Sequence, residues 1–108
     1  MELNIKERLG IIQMLPSNGD YDEMELAESV NDKVNIFREE QIEIAFYIDP
    51  QGFPAWKTDK TVEVPLTKKE TDFIKERIRV LHERGHITQF MFKAVKRFGR
   101  PVEKSEKK

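Results

Sequence analysis

The sequence has no cysteine. That absence removes disulfides, thiol nucleophiles, thiolate zinc sites and iron–sulfur clusters together. No apolar run approaches the ~20 residues that a membrane-spanning helix needs, and no apolar stretch of the signal-peptide kind follows Met1. The expected location is therefore cytoplasmic. The five glycines stand singly at 10, 19, 52, 85 and 99, so no glycine-rich loop is present to cradle a phosphate. No internal repeat is visible. What the chain has in quantity is charge: 36% of its 108 residues are charged, against 38% hydrophobic. A chain of this length is expected to form one domain with one modest core. We place that domain at residues 1–100. Residues 101–108 hold one aliphatic side chain, Val102, and read as a disordered charged tail.

The net charge of −1 hides an asymmetry. Residues 1–54 carry four basic and twelve acidic side chains, a net −8, and residues 55–108 carry fifteen basic and eight acidic, a net +7. Two opposite-sign faces that meet in the fold or in an oligomer would explain the split. So would a basic surface for nucleic acid, centred on Lys93, Lys96, Arg97, Arg100, Lys104, Lys107 and Lys108.

Asn4 with Glu7 forms a capping box, and Ile5, Leu9 and Ile12 then line a helical face that Ile11 and Met14 widen. Pro16 ends this first helix near Leu15. Asp20 with Glu23 opens a second helix over about 21–35, with Met24, Ala27, Val30 or Asn31, and Val34 inside and an acidic outer face. Residues 38–48 mix signals: Arg38 to Gln41 look like a helix start, whereas Ile42, Ile44, Phe46 and Ile48 alternate at strand period. We expect a short helix at about 38–45 and a strand from about 46. Asp49-Pro50-Gln51-Gly52 is a turn, Phe53 to Lys57 a returning strand confined by Pro54 to an edge, and 61–65 a half-buried strand. Thr67 with Glu70 caps a helix over about 68–84, stopped by Gly85. Thr88 caps the last helix, with Ile87 and Phe92 at the hydrophobic-staple positions, Met91, Phe92, Val95 and Phe98 as its apolar face, and Gly99-Arg100-Pro101 as its end. The fold class is α+β and mostly helical: three N-terminal helices, a small β-hairpin or three-stranded element, then two C-terminal helices. Three helices followed by a hairpin is the order of a winged helix, an analogy that does not establish function.

Glu7-Arg8-Leu9 through Met14-Leu15-Pro16 and Gly19, the acidic helix start Arg38–Ile42, Gly52 before Trp56, the Val62-Glu63-Val64 strand, the helix stopping near Gly85 and the aromatic helix opened by Ile87-Thr88 follow one another in a layout that resembles a family of small uncharacterised phage and prophage proteins. The resemblance covers about residues 5–98. It implies a phage or mobile-element context and carries over no catalytic residue. The prolines of the hairpin, Pro50 and Pro54, depart from its pattern.

His82-Glu83-Arg84-Gly85-His86 matches H-E-x-x-H, in which two imidazoles one turn apart on one helix hold zinc and the glutamate activates water. That chemistry needs an unbroken helix through the second His, and Gly85 stands where a helix ends. A third ligand is also missing, since Gln89 and Phe92 occupy the positions where the longer motif has Gly and His. We expect no metal and no cofactor. Ser17, Ser29 and Ser105 lack a nucleophile elbow, and the acidic second helix lacks the loop of a calcium site.

Phe90 and Phe92 lie about 200° apart around a helix, so one of them enters a second groove or faces a partner. Trp56 beside the hairpin is either a core lid or an exposed anchor. The expected function is that of a non-enzymatic interaction or adaptor module, meeting a protein partner or a second copy through Trp56, Phe90, Phe92 and Phe98, with no small-molecule substrate and no membrane. The alternative is a winged-helix nucleic-acid binder using Lys57, Lys60, Arg77, Arg79, Arg84, Lys93, Lys96, Arg97 and Arg100. Against that alternative, the third helix carries Glu39, Glu40 and Glu43 where a recognition helix would face phosphates.

Overall fold

The computed structural model describes residues 1–101. The element order is β1 (Glu2–Asn4), α1 (Ile5–Met14), α2 (Tyr21–Val34), α3 (Arg38–Glu43), β2 (Tyr47–Ile48), β3 (Pro54–Ala55), β4 (Thr61–Glu63), α4 (Lys68–Glu83) and α5 (Gln89–Phe98). The class is α+β and mainly helical.

Local chemistry sets the helix ends. Full capping boxes open α1, α2 and α4: Asn4 with Glu7, Asp20 with Glu23, and Thr67 with Glu70 each exchange side-chain and backbone bonds. The Thr88 hydroxyl accepts from the Met91 N–H to open α5 and donates to Gln13 of α1. Leu15 before Pro16 is extended at φ −67°, ψ 141° and ends α1. Gly85 ends α4 with φ +68°. The N–H of His86 reaches the Leu81 carbonyl at 2.8 Å, and that of Gly85 reaches His82 at 3.1 Å, the paired bonds of a Schellman stop.

The strands depart from the expected single β-element. β2 and β3 form the hairpin, with Tyr47 opposite Ala55 and Ile48 opposite Pro54. β4 does not join them. It pairs antiparallel with β1, Leu3 opposite Val62, so the sheet is divided in two. Glu2 and Glu63 face each other in this pair, an unfavourable juxtaposition that the N-terminal ammonium offsets by bonding to the Glu63 carboxylate and the Val64 carbonyl.

Two apolar clusters result. The larger holds Leu3, Ile11, Met14, Val30, Val34, Val64, Ile74, Ile78, Leu81, Met91, Ala94 and Val95. The smaller holds Ile5, Ile36 and Ile44, with Leu9, Phe46 and Trp56 packed against it. The chain is accordingly elongated, with extents of 49 × 26 × 25 Å. The α1 helix serves both clusters, so it is buried on more sides than an amphipathic reading implies. A Cβ on Gly10 would lie 3.1 Å from Ala94 Cβ and 3.2 Å from Met91 Cα, so this glycine lets α1 and α5 approach closely.

The buried stripe of α5 is Met91, Ala94, Val95 and Phe98. Phe92 is not part of it. It is 49% exposed, while Ile87 packs on the main core, and this corrects the apolar face and staple read from the sequence. Of the expected tail, Pro101 is described, and 102–108, including Lys104, Lys107 and Lys108, lie outside the described residues.

Candidate functional site

The smaller cluster supports a lobe built from α3 and the β2–β3 hairpin. Arg8, 4% exposed, ties it to the rest of the chain. Its guanidinium donates to the Val34 and Asn35 carbonyls at the end of α2 and grips Glu40 of α3 through two bonds of 2.7 Å. The fork satisfies helix-end carbonyls and a carboxylate at once, as a point-like ammonium cannot. The Arg8 bonds outweigh partial burial and hold the Glu40 pKa below its usual range, and Lys60 adds to the effect.

Ala45 follows α3 with φ +54°, a left-handed conformation that non-glycine residues rarely adopt. It performs the stop that Gly85 performs for α4: Phe46 N–H bonds to Gln41 and Ala45 N–H to Ile42. The chain then turns at Asp49, whose side chain accepts from the N–H groups of Gln51 and Phe53. This lobe leaves Phe37, Ile42, Tyr47, Ile48 and Phe53 between 45% and 69% exposed. Periodicity alone missed this surface, because Ile42 and Ile48 read as inward-facing in a strand.

A second surface lies on α5 and the start of α1. Lys6, Gln89, Phe90, Phe92, Lys93 and Lys96 line a shallow groove of about 460 Å³. The Lys6 ammonium stands 5.7 Å from the centre of the Phe90 ring, and that of Lys96 5.4 Å from Phe92. Phe90 is half-buried beside α1.

The residues proposed from the sequence therefore separate. Trp56 is half-buried against the smaller cluster and Phe98 packs on the main core, so neither is an exposed anchor. Phe90 and Phe92 share the α5 groove. Among the cations, Lys60 pairs with Glu40 and Glu43 at 3.4 and 2.8 Å, Arg77 donates to the Met14 carbonyl at 2.7 Å, and Arg97 pairs with Glu7 at 2.9 Å. Arg79 bonds to both Glu76 and Glu83. Lys57, Arg84 and Arg100 are exposed on three different elements or their ends. The helix break at Gly85 separates the two histidines, with His82 in the last turn of α4 and His86 beyond it. Among the described residues no group of three His, Asp or Glu is placed to hold a metal ion, and no helix is long and apolar enough to cross a membrane.

Glu70 is a further group whose role extends beyond its cap. Its carboxylate is buried, accepts from Lys33 at 2.7 Å and the Thr67 N–H at 2.8 Å, and is bonded by the Ser29 hydroxyl. Burial opposes its charge, yet these donors hold its pKa at about 2. It joins α2 to α4.

No protein-family model, curated protein or solved structure matches the chain.

Proposed function

We propose that the protein is a non-enzymatic interaction module that docks a protein partner on the lobe of residues 36–58. The observation that carries this reading is the exposed set Phe37, Ile42, Tyr47, Ile48 and Phe53. Five large apolar side chains held outside on one lobe add nothing to the stability of the chain, whereas a partner that covers them gains apolar burial. β2 also keeps an outer edge, at Ile48, on which an extended apolar segment can pair, whereas Pro54 leaves β3 without an outward N–H. The phage or mobile-element context rests on the motif resemblance.

The winged-helix nucleic-acid reading has less behind it. Four of its cations, Lys60, Arg77, Arg79 and Arg97, are engaged within the fold, and α3 presents Glu39 and Glu43. A mobility shift across a salt series distinguishes the readings, because phosphate binding weakens steeply as salt rises.

The decisive experiment compares the wild-type chain with Ile48→Asp and Phe53→Asp. Both positions are exposed, so folding is retained. A partner captured by the wild type, then purified, is expected to bind each variant about tenfold or more weakly, as at an interface hot spot. Unchanged binding by both variants overturns the proposal.

A further inference from the structure

The outer faces of α5 and α2 carry opposite charges at matching spacings. On α5, Gln89, Lys93 and Lys96 stand opposite the buried stripe Met91, Ala94 and Val95, at spacings of four and three, with Phe92 beside them. On α2, Tyr21, Glu25 and Glu28 stand opposite the buried stripe Ala27, Val30 and Val34 at the same spacings, and Asp32 follows one turn on. Tyr21 is 81% exposed. Together with Met24, Glu25 and Glu28 it lines a groove of about 250 Å³. The one face is a phenyl ring flanked by ammonium groups, and the other is an apolar floor rimmed by carboxylates. Lys93 and Lys96 form no ion pair among the described residues, and neither do Glu25, Glu28 and Asp32.

The geometry points to self-association in which α5 of one copy seats Phe92 in the Tyr21–Met24 groove on α2 of a second copy, with Lys93 and Lys96 meeting Glu25 and Glu28. Each stripe lies on the side of its helix away from the core. The fold therefore cannot bring the two together within one chain, and a second molecule can. A nucleic acid fits the α5 groove less well. The cations that line it are Lys6, Lys93 and Lys96, too few to track a long phosphate backbone. The acidic α2 face and the acidic α3 also repel a long polyanion.

The contact joins different surfaces of the two copies, so each copy in a pair keeps one free face, and growth continues unless the arrangement closes. One pair of short helices covers less than the ~800 Å² per partner of a standard stable interface, so the association is weak and sensitive to salt. It does not involve the hairpin lobe, so it can fail while the docking proposal stands, and the converse also holds.

Sedimentation equilibrium on the intact chain tests it, at about 50 mM and about 500 mM salt. The average mass is expected to climb with concentration at low salt and to fall back toward monomer at high salt. Lys93→Glu with Lys96→Glu, and separately Glu25→Lys with Glu28→Lys, are each expected to abolish the climb. A chain carrying all four substitutions has both faces reversed and is expected to recover it, a result that a merely unstable variant cannot give. Ile48→Asp leaves it unchanged. A wild-type chain that stays monomeric at millimolar concentration and low salt overturns the inference. So does association that survives either charge reversal, or failure of the fourfold variant to recover. A single-stranded oligonucleotide that binds the α5 face of a chain showing no self-association overturns it as well.

Discussion

Glu70→Gln removes one charge and almost no volume from the junction of α2 and α4. The magnitude follows from the shift at that site. The carboxyl titrates at about 2 in the folded chain against 4.5 for the free group. A shift of one unit corresponds to about 1.4 kcal/mol, so the ionised carboxylate contributes about 3 kcal/mol to folding at neutral pH relative to the same group in the unfolded chain. Glutamine imitates the neutral form, and the variant is expected to lose about 2–3 kcal/mol at pH 7, or about 2 M in the urea midpoint for a domain of this size. The folded pKa is lowered, so the contribution is complete above 4.5, is lost as pH falls toward 2, and is absent below. The gap between wild type and variant should therefore shrink to about half or less by pH 3 and close near pH 2. Other acids titrate over the same range but do so in both chains, so the difference isolates Glu70. Paired urea unfolding curves at pH 7, 5 and 3 give the answer. A gap below about 1 kcal/mol at pH 7, or one that stays constant down to pH 3, refutes the assignment of this carboxylate as an ionised link between the helices.

The two left-handed helix stops make opposite predictions. Gly85→Ala meets no atom within 4 Å but must hold a side chain at φ +68°, so it is expected to cost about 1 kcal/mol by thermal melt. Ala45→Gly relieves the same conformation at φ +54° and is expected to stabilise by about 0.5–1 kcal/mol, and a loss of stability would contradict the strain argument. Gly10→Ala should destabilise by about 1–3 kcal/mol despite the better helix propensity of alanine, because the new methyl meets Ala94 and the Met91 backbone; a neutral or stabilising result would show that α1 and α5 have room to spare. Arg8→Lys keeps the charge but loses the fork, and should cost about 2–4 kcal/mol, with Trp56 fluorescence changing before the main far-UV transition as the lobe loosens. Coincident transitions would argue against a separately held lobe.

Much of the fold was legible because its helix ends are written in local chemistry. The Asn4–Glu7, Asp20–Glu23 and Thr67–Glu70 boxes and the Pro16 and Gly85 stops each act within a few residues, and all of them form. The β1–β4 pair was not legible. It is three residues long, joins opposite parts of the chain, and places Glu2 against Glu63, which a pairing rule would reject without the ammonium that offsets it. Phe92 was assigned to the core of α5 because it is large and apolar. Ala94 takes the core position because Gly10 leaves space only for a methyl. The exposed lobe was hidden for a related reason: the alternation of Ile42, Ile44, Phe46 and Ile48 imitates a buried strand. The left-handed Ala45 breaks the run, so that Ile44 and Phe46 turn inward while Ile42 and Ile48 face out.

The candidate surfaces share a support that the sequence did mark, in the polar residues interrupting an otherwise apolar first helix. Glu7 reaches Arg97 on α5, its neighbour Arg8 reaches Glu40 on α3, and Lys6 lies over Phe90. Three consecutive side chains thus orient the basic groove and the apolar lobe from one turn of α1. Glu7 does so while also closing its own capping box. Exchanging Glu7 for glutamine keeps an acceptor for the Asn4 N–H but discharges the Arg97 pair, so it should raise the positive charge of the α5 face without unfolding α1. If the acidic α2 face of a second copy is what α5 meets, that variant associates more strongly than the wild type at low salt, and equally at high salt, where the added charge is screened.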